Sequence, residues 1–217
     1  GGKDLKREPK ARYAGAAVLA LATASLIFIG QPTTADKWQA ISAEKEPLLA
    51  ERSVQIHPGE LLDAQHDDSV KVIMLDLRNE VDYNLFHIAG ARRVSIEQLP
   101  GLIPDLLLEP SNTLFVTMSN GEEAATEAWQ LLSAESVPNA YILDGGINGW
   151  LDVFASADPG LRKSLAAVES DRLSYEFDLA LGARSPAATP DPHEFDLEYT
   201  RKVQMELKRG PAGGGCG

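Results

Sequence analysis

Short apolar runs alternate with helix-forming stretches along residues 54–153, and this alternation constrains the fold more than any other feature of the chain. The runs that predict strands lie at residues 54–56, 71–75, 93–96, 114–116 and 140–143. Strands that alternate with helices at this spacing form a parallel sheet with helices on both faces. The sequence therefore predicts an α/β fold for this part of the chain.

The stretch from Thr113 to Ala125 is where such a fold places a ligand. An apolar strand ends there in a short polar turn, and a helix-forming run begins at Glu122. A loop between a parallel strand and the next helix directs backbone N–H groups and the positive end of the helix dipole at one point, which suits an anion. This loop contains no Cys, His, Lys or Arg. Its centre is Met118, and Glu122 and Glu123 lie at its exit.

Composition excludes several classes of site. The chain of 217 residues is 44% hydrophobic, enough for one core with segments outside it. A net charge of -12 argues against a nucleic-acid surface, which requires clustered Lys and Arg. The one cysteine, Cys216, permits no intrachain disulfide and no Cys-rich metal site, and the four histidines lack ligand spacing. We therefore expect no metal and no cofactor.

The N-terminal part predicts a membrane segment. Residues 1–12 form a basic flank, and residues 13–30 carry no charge, a length near the short end of what a transmembrane helix needs. An uncleaved anchor is the preferred interpretation. The alternative is a cleaved signal peptide with a poor cleavage site at Thr33-Thr34-Ala35. Either one sends the rest of the chain across the membrane, with the N-terminus cytoplasmic and the domain periplasmic or extracellular. Residues 31–53 predict a partly helical linker, broken at Pro47, that lifts the domain off the bilayer.

The C-terminal part, residues 154–217, is rich in Pro and Ala and predicts an extended arm that lies along the domain. Residues 198–207 partly alternate, which indicates an edge strand or a strand that binds a partner. Cys216 follows three glycines, so we expect it to be mobile and exposed.

Two groups of motifs within residues 54–153 resemble the rhodanese domains. The first is Asp76-Leu77-Arg78, Asp82-Tyr83, His87-Ile88 and Gly90-Ala91, and the second is Leu143-Asp144-Gly145-Gly146 followed by Trp150. The resemblance implies a rhodanese-like parallel sheet flanked by helices. In these motifs Asp82 stands for a glutamate and Phe86 for a glycine. We interpret Asp76, Arg78, His87 and Trp150 as structural residues.

The resemblance also implies what the loop lacks. An active rhodanese carries sulfur on a cysteine that opens a loop with a basic residue five positions later. Aligned on Gly121, these positions hold Met118 and Glu123. A thioether forms no thiolate, and the carboxylates would repel an anionic substrate. The degenerate loop therefore predicts a domain without sulfurtransferase activity that binds a protein partner in a membrane complex; its residues are Met118, Ser119, Asn120, Gly121, Glu122 and Glu123.

The ending Gly-Gly-Gly-Cys-Gly is similar to the terminal arm of the sulfur carriers of the Sox sulfur-oxidation system. This resemblance implies an alternative function, in which Cys216 carries sulfur as a persulfide and the domain is the docking body. A third arrangement folds the tail back so that Cys216 takes the vacant place beside Met118.

Overall fold

The computed structural model describes residues 32–155, 161–164 and 171–205. Its helices are α1 (Thr34–Ala50), α2 (Pro58–Gln65), α3 (Glu80–Leu85), α4 (Leu99–Leu107), α5 (Glu123–Ala134) and α6 (Gly146–Phe154). Its strands are β1 (Gln55–Ile56), β2 (Lys71–Asp76), β3 (Arg92–Arg93), β4 (Thr113–Met118), β5 (Ala140–Leu143), β6 (Leu161–Lys163) and β7 (Tyr175–Phe177). Two single turns of 3-10 helix follow at Pro186–Ala188 and Pro192–Glu194.

The main sheet has five parallel strands in the order β1-β5-β4-β2-β3. The predicted α/β fold with a parallel sheet between helices is confirmed. β4 is the central strand and pairs with β2 over its whole length, so that Met118 lies beside Asp76. The carboxyl ends of these two strands therefore meet at one edge of the sheet.

The hydrophobic core lies on both faces of the sheet. Every residue of β4 is buried, because helices cover the strand on both sides. Leu114 packs with Trp150 in one cluster, and Phe115 packs with Leu99 and Leu132 in the other. Successive side chains of β4 point to opposite faces of the sheet, and helices cover both faces. The strand is therefore apolar at consecutive positions rather than at every second position.

Helix α1 differs from the predicted linker. Thr33 caps it by accepting a hydrogen bond from the N–H of Asp36, and the helix continues through Pro47, which does not break it. Pro47 lies one turn from the C-terminus, where Leu48 and Leu49 pack against the core and stabilise the last turn. The helix is thus a packed part of the domain.

Side chains at the start of α1 hold it on α5. The indole of Trp38 contacts Trp129 edge-on at 6.1 Å between ring centroids. Lys37 forms an ion pair of 2.5 Å with Glu135, which follows α5, and Thr34 donates a hydrogen bond to the same carboxylate at 2.9 Å. The pKa of Glu135 is lowered, first by the hydrogen bond from Lys37.

The described part of the C-terminal segment packs against the domain along its length. Leu181 donates to the carbonyl of Leu85, Ala89 donates to the carbonyl of Ala188, and both bonds are close to 3 Å. Residues 198–205 form no strand, contrary to the edge-strand prediction. The N–H groups of Lys202 and Val203 instead donate to the carboxylate of Glu60, and that of Gln204 donates to the hydroxyl of Tyr141.

Two predicted features lie outside the described residues. These are the membrane segment at residues 13–30 and the cysteine at Cys216. Among residues 32–155, 161–164 and 171–205, no helix combines the length and the apolar character that a membrane crossing requires.

Candidate functional site

The loop between β4 and α5, residues 118–122, begins at the buried end of the central strand. Met118 has no exposed surface, and its carbonyl accepts a hydrogen bond of 2.8 Å from the N–H of Leu77. Ser119 and Asn120 are also buried. The residue at the predicted nucleophile position is therefore a buried thioether, which neither ionises nor meets a dissolved substrate.

The first turn of α6 fixes the backbone of this loop. The N–H groups of Ile147 and Asn148 donate to the carbonyls of Ser119 and Asn120 at 2.8 Å and 3.0 Å. Gly146 has a φ of +60°, and a Cβ there would lie 1.8 Å from a carbonyl oxygen of the loop. Only glycine permits this close approach, so the turn at residues 145–146 shapes the loop.

The carboxylate of Asp171 fills the anion-binding position of the loop. One oxygen accepts the N–H of Gly121 at 2.8 Å, and the other accepts the N–H of Ala124 at 3.0 Å. The side-chain amide of Asn120 donates to the main-chain oxygen of Asp171 at 3.3 Å. These N–H groups lie at the N-terminus of α5, where the helix dipole favours negative charge. The loop thus binds an anion that belongs to the chain itself.

A side chain of α6 holds the segment around Asp171 in place. The amide of Asn148 donates to the carbonyl of Arg172 at 2.8 Å and accepts the N–H of Ser174 at 2.7 Å. Asp171 has a φ of +62°, in the left-handed region that non-glycine residues seldom adopt. The contact with the loop is therefore made by a constrained turn.

Glu122 faces away from this position. Its carboxylate accepts the N–H of Gly145 at 2.6 Å and forms an ion pair of 2.6 Å with Arg52, which also pairs with Asp144 at 2.6 Å. The hydrogen bond from Arg52 to Glu122 is the largest influence on the guanidinium and raises the pKa of Arg52. Glu123 is exposed in the first turn of α5. Of the two carboxylates predicted to repel an anion, Glu122 is therefore paired with Arg52, whereas Glu123 remains exposed.

Asp76 and Arg78 form a buried ion pair beside the loop. The guanidinium donates to the carboxylate at 2.6 Å, and the side chains are 1% and 0% exposed for Arg78 and Asp76. Arg78 also donates to the carbonyl of Phe86 at 2.7 Å. Asn120 donates to Asp82 at 2.6 Å. The signature residues from β2 and α3 thus support the loop through hydrogen bonds.

The other motif residues make hydrogen bonds and packing contacts within the chain, and these contacts explain their presence without a ligand. His87 donates to the carbonyl of Tyr83 at 2.8 Å and stacks on its ring at 3.8 Å between centroids. Trp150 is fully buried and donates to the carbonyl of Ala187 at 2.7 Å. Ser119 accepts the N–H of Ala125 at 3.3 Å, as a turn serine commonly does.

Within the described ranges, no group of three or more His, Asp or Glu residues is arranged to hold a metal ion. The expectation that the protein uses no cofactor stays a prediction. The chemistry available in the loop is that of backbone N–H donors around a carboxylate.

Residues 57–152 match the family model described as a rhodanese-like domain. The chain contains a rhodanese-like domain. The predicted family is thereby confirmed for these residues, and the loop at residues 118–122 is the position at which the resemblance places the rhodanese nucleophile.

Solved structures of proteins from several bacteria are similar to parts of the chain. A rhodanese-like domain protein from Staphylococcus aureus is 19% identical, over 44% of this chain and 89% of its own, with a TM-score of 0.38. The rhodanese-like domain of an Anabaena protein is 23% identical, over 58% and 98% of the two chains, with a TM-score of 0.39. A Bacillus halodurans protein is 18% identical over 51% and 80%, with a TM-score of 0.41. Among curated proteins, none matches the chain.

Two residues of this site were not predicted from the sequence. Asp171 lies 50 residues beyond Gly121 in a stretch without a motif, and Arg52 follows α1 rather than any strand. One signal does point towards Asp171, since Glu122 at the N-cap of α5 provides no side-chain cap. The free N–H groups of an uncapped helix need acceptors from another part of the chain.

Proposed function

We propose that this protein is a membrane-anchored, extracytoplasmic rhodanese-like domain that has no sulfurtransferase activity and binds a protein partner within a membrane complex. Residues 13–30, which follow a basic flank, are the proposed anchor. The observation that carries the proposal is the loop itself, in which Met118 stands at the nucleophile position and Asp171 occupies the anion position.

Sulfur transfer in a rhodanese needs three things that this loop lacks. It needs a thiolate, but Met118 is a thioether. It needs a vacant anion position, but the carboxylate of Asp171 accepts both N–H groups there. It needs a positive side chain at the loop exit, where Glu123 is exposed and negative. Each difference alone opposes catalysis, and together they support a domain that serves as a binding surface.

A sulfurtransferase assay tests the catalytic half of this proposal. Cys216→Ser leaves the chain without a thiol, so we expect the full-length variant to transfer no sulfur from thiosulfate to cyanide above the uncatalysed rate. Measurable turnover by this variant would refute the proposal.

Crosslinking in native membranes tests the partner half. We expect the full-length protein to give one main crosslinked product, in which it is joined to a single other protein. The yield of this product should be the same in each membrane preparation. Only uncrosslinked protein, or crosslinks in proportion to the abundance of each neighbour, would contradict a specific partner.

Persulfide carriage by Cys216 is the second candidate, because the chain's one thiol follows a run of three glycines, an ending similar to the terminal arm of the Sox sulfur carriers. The thiolate would attack a polysulfide, form a persulfide S–S bond and release a polysulfide shortened by one sulfur. Intact-mass measurement after polysulfide treatment should then show added sulfur that Cys216→Ser lacks. Absence of added mass, both after polysulfide treatment and in protein from native membranes, would contradict persulfide carriage by Cys216.

The third arrangement, with Cys216 beside Met118, requires the place that Asp171 now fills. Cys216 is outside the described residues, whereas the carboxylate of Asp171 already accepts the two N–H groups of the loop. The described contacts therefore favour the first two readings.

A further inference from the structure

We propose that the domain turns the edge at which its central strands begin towards the bilayer, with Leu107 and Leu108 in the lipid headgroup layer, and turns the loop at residues 118–122 away from it. We call this surface the strand-start edge, and its members are Thr34, Leu107, Leu108, Ser111 and Glu135. The inference rests on the anchor at residues 13–30 in the proposed function, and it adds which face of the domain meets lipid.

Helix α1 sets the direction from the proposed anchor to the loop. Its first residue, Thr34, donates a hydrogen bond of 2.9 Å to Glu135, which follows the C-terminus of α5. Beyond its other end, Arg52 pairs at 2.6 Å with Glu122 at the N-cap of α5. Helix α1 therefore runs antiparallel to α5, from the strand-start edge to the loop.

The connection to the proposed anchor leaves little room at this edge. Residues 31–33 lie between the anchor and Thr34, and an extended chain of this length spans at most about 14 Å. The headgroup layer on one side of a bilayer is about 5–8 Å thick. The start of α1 therefore lies in or just above the headgroups. The other end of this 17-residue helix lies about 25 Å from its start, on the side of the loop.

Two adjacent apolar side chains are exposed at the same edge. Leu107 ends α4 and Leu108 follows it, with 36% and 84% of their surfaces exposed. The carbonyl of Ser111, three residues further on, accepts a hydrogen bond of 3.3 Å from the side-chain amide of Asn139, in the turn that follows α5. These leucines therefore lie at the edge where α1 begins. A leucine gains free energy when it leaves water for the boundary between headgroups and acyl chains.

The other large apolar residues exposed within the described ranges lie on the side of the loop. Val81 is 70% exposed on α3, next to Asp82, which accepts a hydrogen bond of 2.6 Å from Asn120 of the loop. Leu179 is also exposed and lies just before the residues that donate to the carbonyl of Leu85 in the same helix. In the proposed orientation these two residues stay in water, where a protein partner reaches them.

The charges of the strand-start edge favour neutral lipid over anionic lipid. Lys37 and Lys71, which lie at this edge, pair at 2.5 Å with Glu135 and Glu109. Exposed acidic residues also flank the leucines and the start of β2, namely Asp67, Asp68 and Asp105. Anionic headgroups would repel these carboxylates at low salt. We therefore expect the edge to lie against zwitterionic headgroups.

A single fluorescent label measures lipid contact at Leu108. In the full-length protein with Cys216→Ser, Leu108→Cys and the matched control Val81→Cys each place one thiol at an exposed apolar position, on opposite sides of the domain. Each protein is labelled with an environment-sensitive dye and reconstituted in phosphatidylcholine vesicles that contain a nitroxide lipid. Because the nitroxide quenches only dyes close to it, the label at residue 108 should lose more emission than the label at residue 81.

Flotation of the same vesicles separates failure of the orientation from failure of the anchor. If the labelled proteins do not float with the vesicles, the anchor in the proposed function is wrong and this inference falls with it. If they float and the two labels lose equal emission, the anchor stands and the proposed orientation is overturned. Emission from residue 108 that shifts to shorter wavelength without quenching would show that a second copy of the chain covers Leu108, which would overturn lipid contact.

The charge of the lipid gives a second outcome. Replacement of part of the phosphatidylcholine by phosphatidylglycerol should reduce the quenching at residue 108, and added salt should restore it, because the acidic residues of the edge are repelled at low ionic strength. Quenching at residue 108 that increases with anionic lipid would overturn the assignment of this edge, since it would place a basic surface against the bilayer.

Discussion

Two side chains, Met118 and Asp171, decide what the strand-to-helix loop does. Met118 removes the nucleophile and fills core space, since it has no exposed surface. Asp171 supplies the negative charge that the N–H groups of the loop attract. In a parallel α/β fold, the backbone N–H groups and the helix N-terminus of such a loop suit it to anionic substrates. In this chain they bind Asp171 and so stabilise the folded state.

Replacement of the thioether by a thiol should not create a sulfurtransferase. In a Cys216→Ser background, Met118→Cys places a thiol where the side chain is buried and the anion position is occupied. We expect no thiosulfate:cyanide activity above the Cys216→Ser chain, and a loss of stability of about 1–2 kcal/mol from the smaller side chain. Turnover above the Cys216→Ser control would show that the loop needs only a thiol.

His57 should make the folding stability depend on pH. It caps α2 by accepting the N–H of Gly59 at 3.0 Å and stacks on Tyr199. Burial is the largest influence and lowers the pKa of His57 below 6.5, while Asp144 and Glu60 oppose that shift and Lys202 adds to it. The unfolded chain therefore binds the proton more readily than the folded one.

The resulting stability is complete above pH 6.5 and declines as the pH falls from there to the folded-state pKa. His57→Asn keeps a capping side chain without a titrating group. We expect denaturant unfolding to show less loss of stability between pH 7 and pH 5 for His57→Asn than for the unmodified chain. Identical pH profiles would mean that His57 does not contribute.

At the scale of elements, the C-terminal segment is part of the domain that it follows. Val203 and Lys202 donate their N–H groups to one oxygen of Glu60, at 2.7 Å and 2.8 Å. The N–H of Gln204 donates to the hydroxyl of Tyr141 at 2.8 Å. Tyr199 donates to the carboxylate of Asp63, and its pKa rises to about 12, first through burial and then through that hydrogen bond. Helix α2 and strand β5 thus replace a neighbouring strand as partners of the segment.

Loss of the Glu60 carboxylate should release this segment. Glu60→Ala leaves two backbone N–H groups without their acceptor, which should lower the free energy of unfolding by about 1–3 kcal/mol. Trypsin should then cleave faster after Arg201 and Lys202. Glu60→Gln is the matched control, because it keeps an oxygen acceptor and changes only the oxygen that has no hydrogen-bond partner. Equal cleavage of all three proteins would contradict this role.

The elements show which parts of the structure were predictable. The apolar runs placed all five strands of the main sheet, although β3 is shorter than predicted and ends at Arg93. The contacts of the C-terminal segment were not predictable, because a carboxylate such as Asp171 or Glu60 carries no local signal of a partner that is distant in sequence. The loop itself was predicted as degenerate from Met118 and Glu123 alone, but its occupant was not.

At the scale of the whole molecule, the packed helix α1 changes how the domain would sit relative to a membrane. Residues 31–33 alone separate the proposed anchor at residues 13–30 from α1. Because α1 packs on α5 through Trp38, it does not act as a free spacer. An anchored domain would therefore lie close to the bilayer and to other proteins within it.

The orientation of the chain is testable with its own thiol. Cys216 is the one cysteine in 217 residues, so a membrane-impermeant maleimide reports the side on which the C-terminal segment lies. The proposed anchor places the basic flank at residues 1–12 on the cytoplasmic side and everything after residue 30 on the opposite side. We expect labelling in right-side-out vesicles and little in sealed inside-out vesicles, and none in either for Cys216→Ser. Labelling only in inside-out vesicles would reverse the topology.

Deletion of residues 13–30 should move the protein from the membrane to the soluble fraction, because the run without charge is what partitions into hydrocarbon. A deletion variant that stays with the membrane would show that another part of the chain binds it.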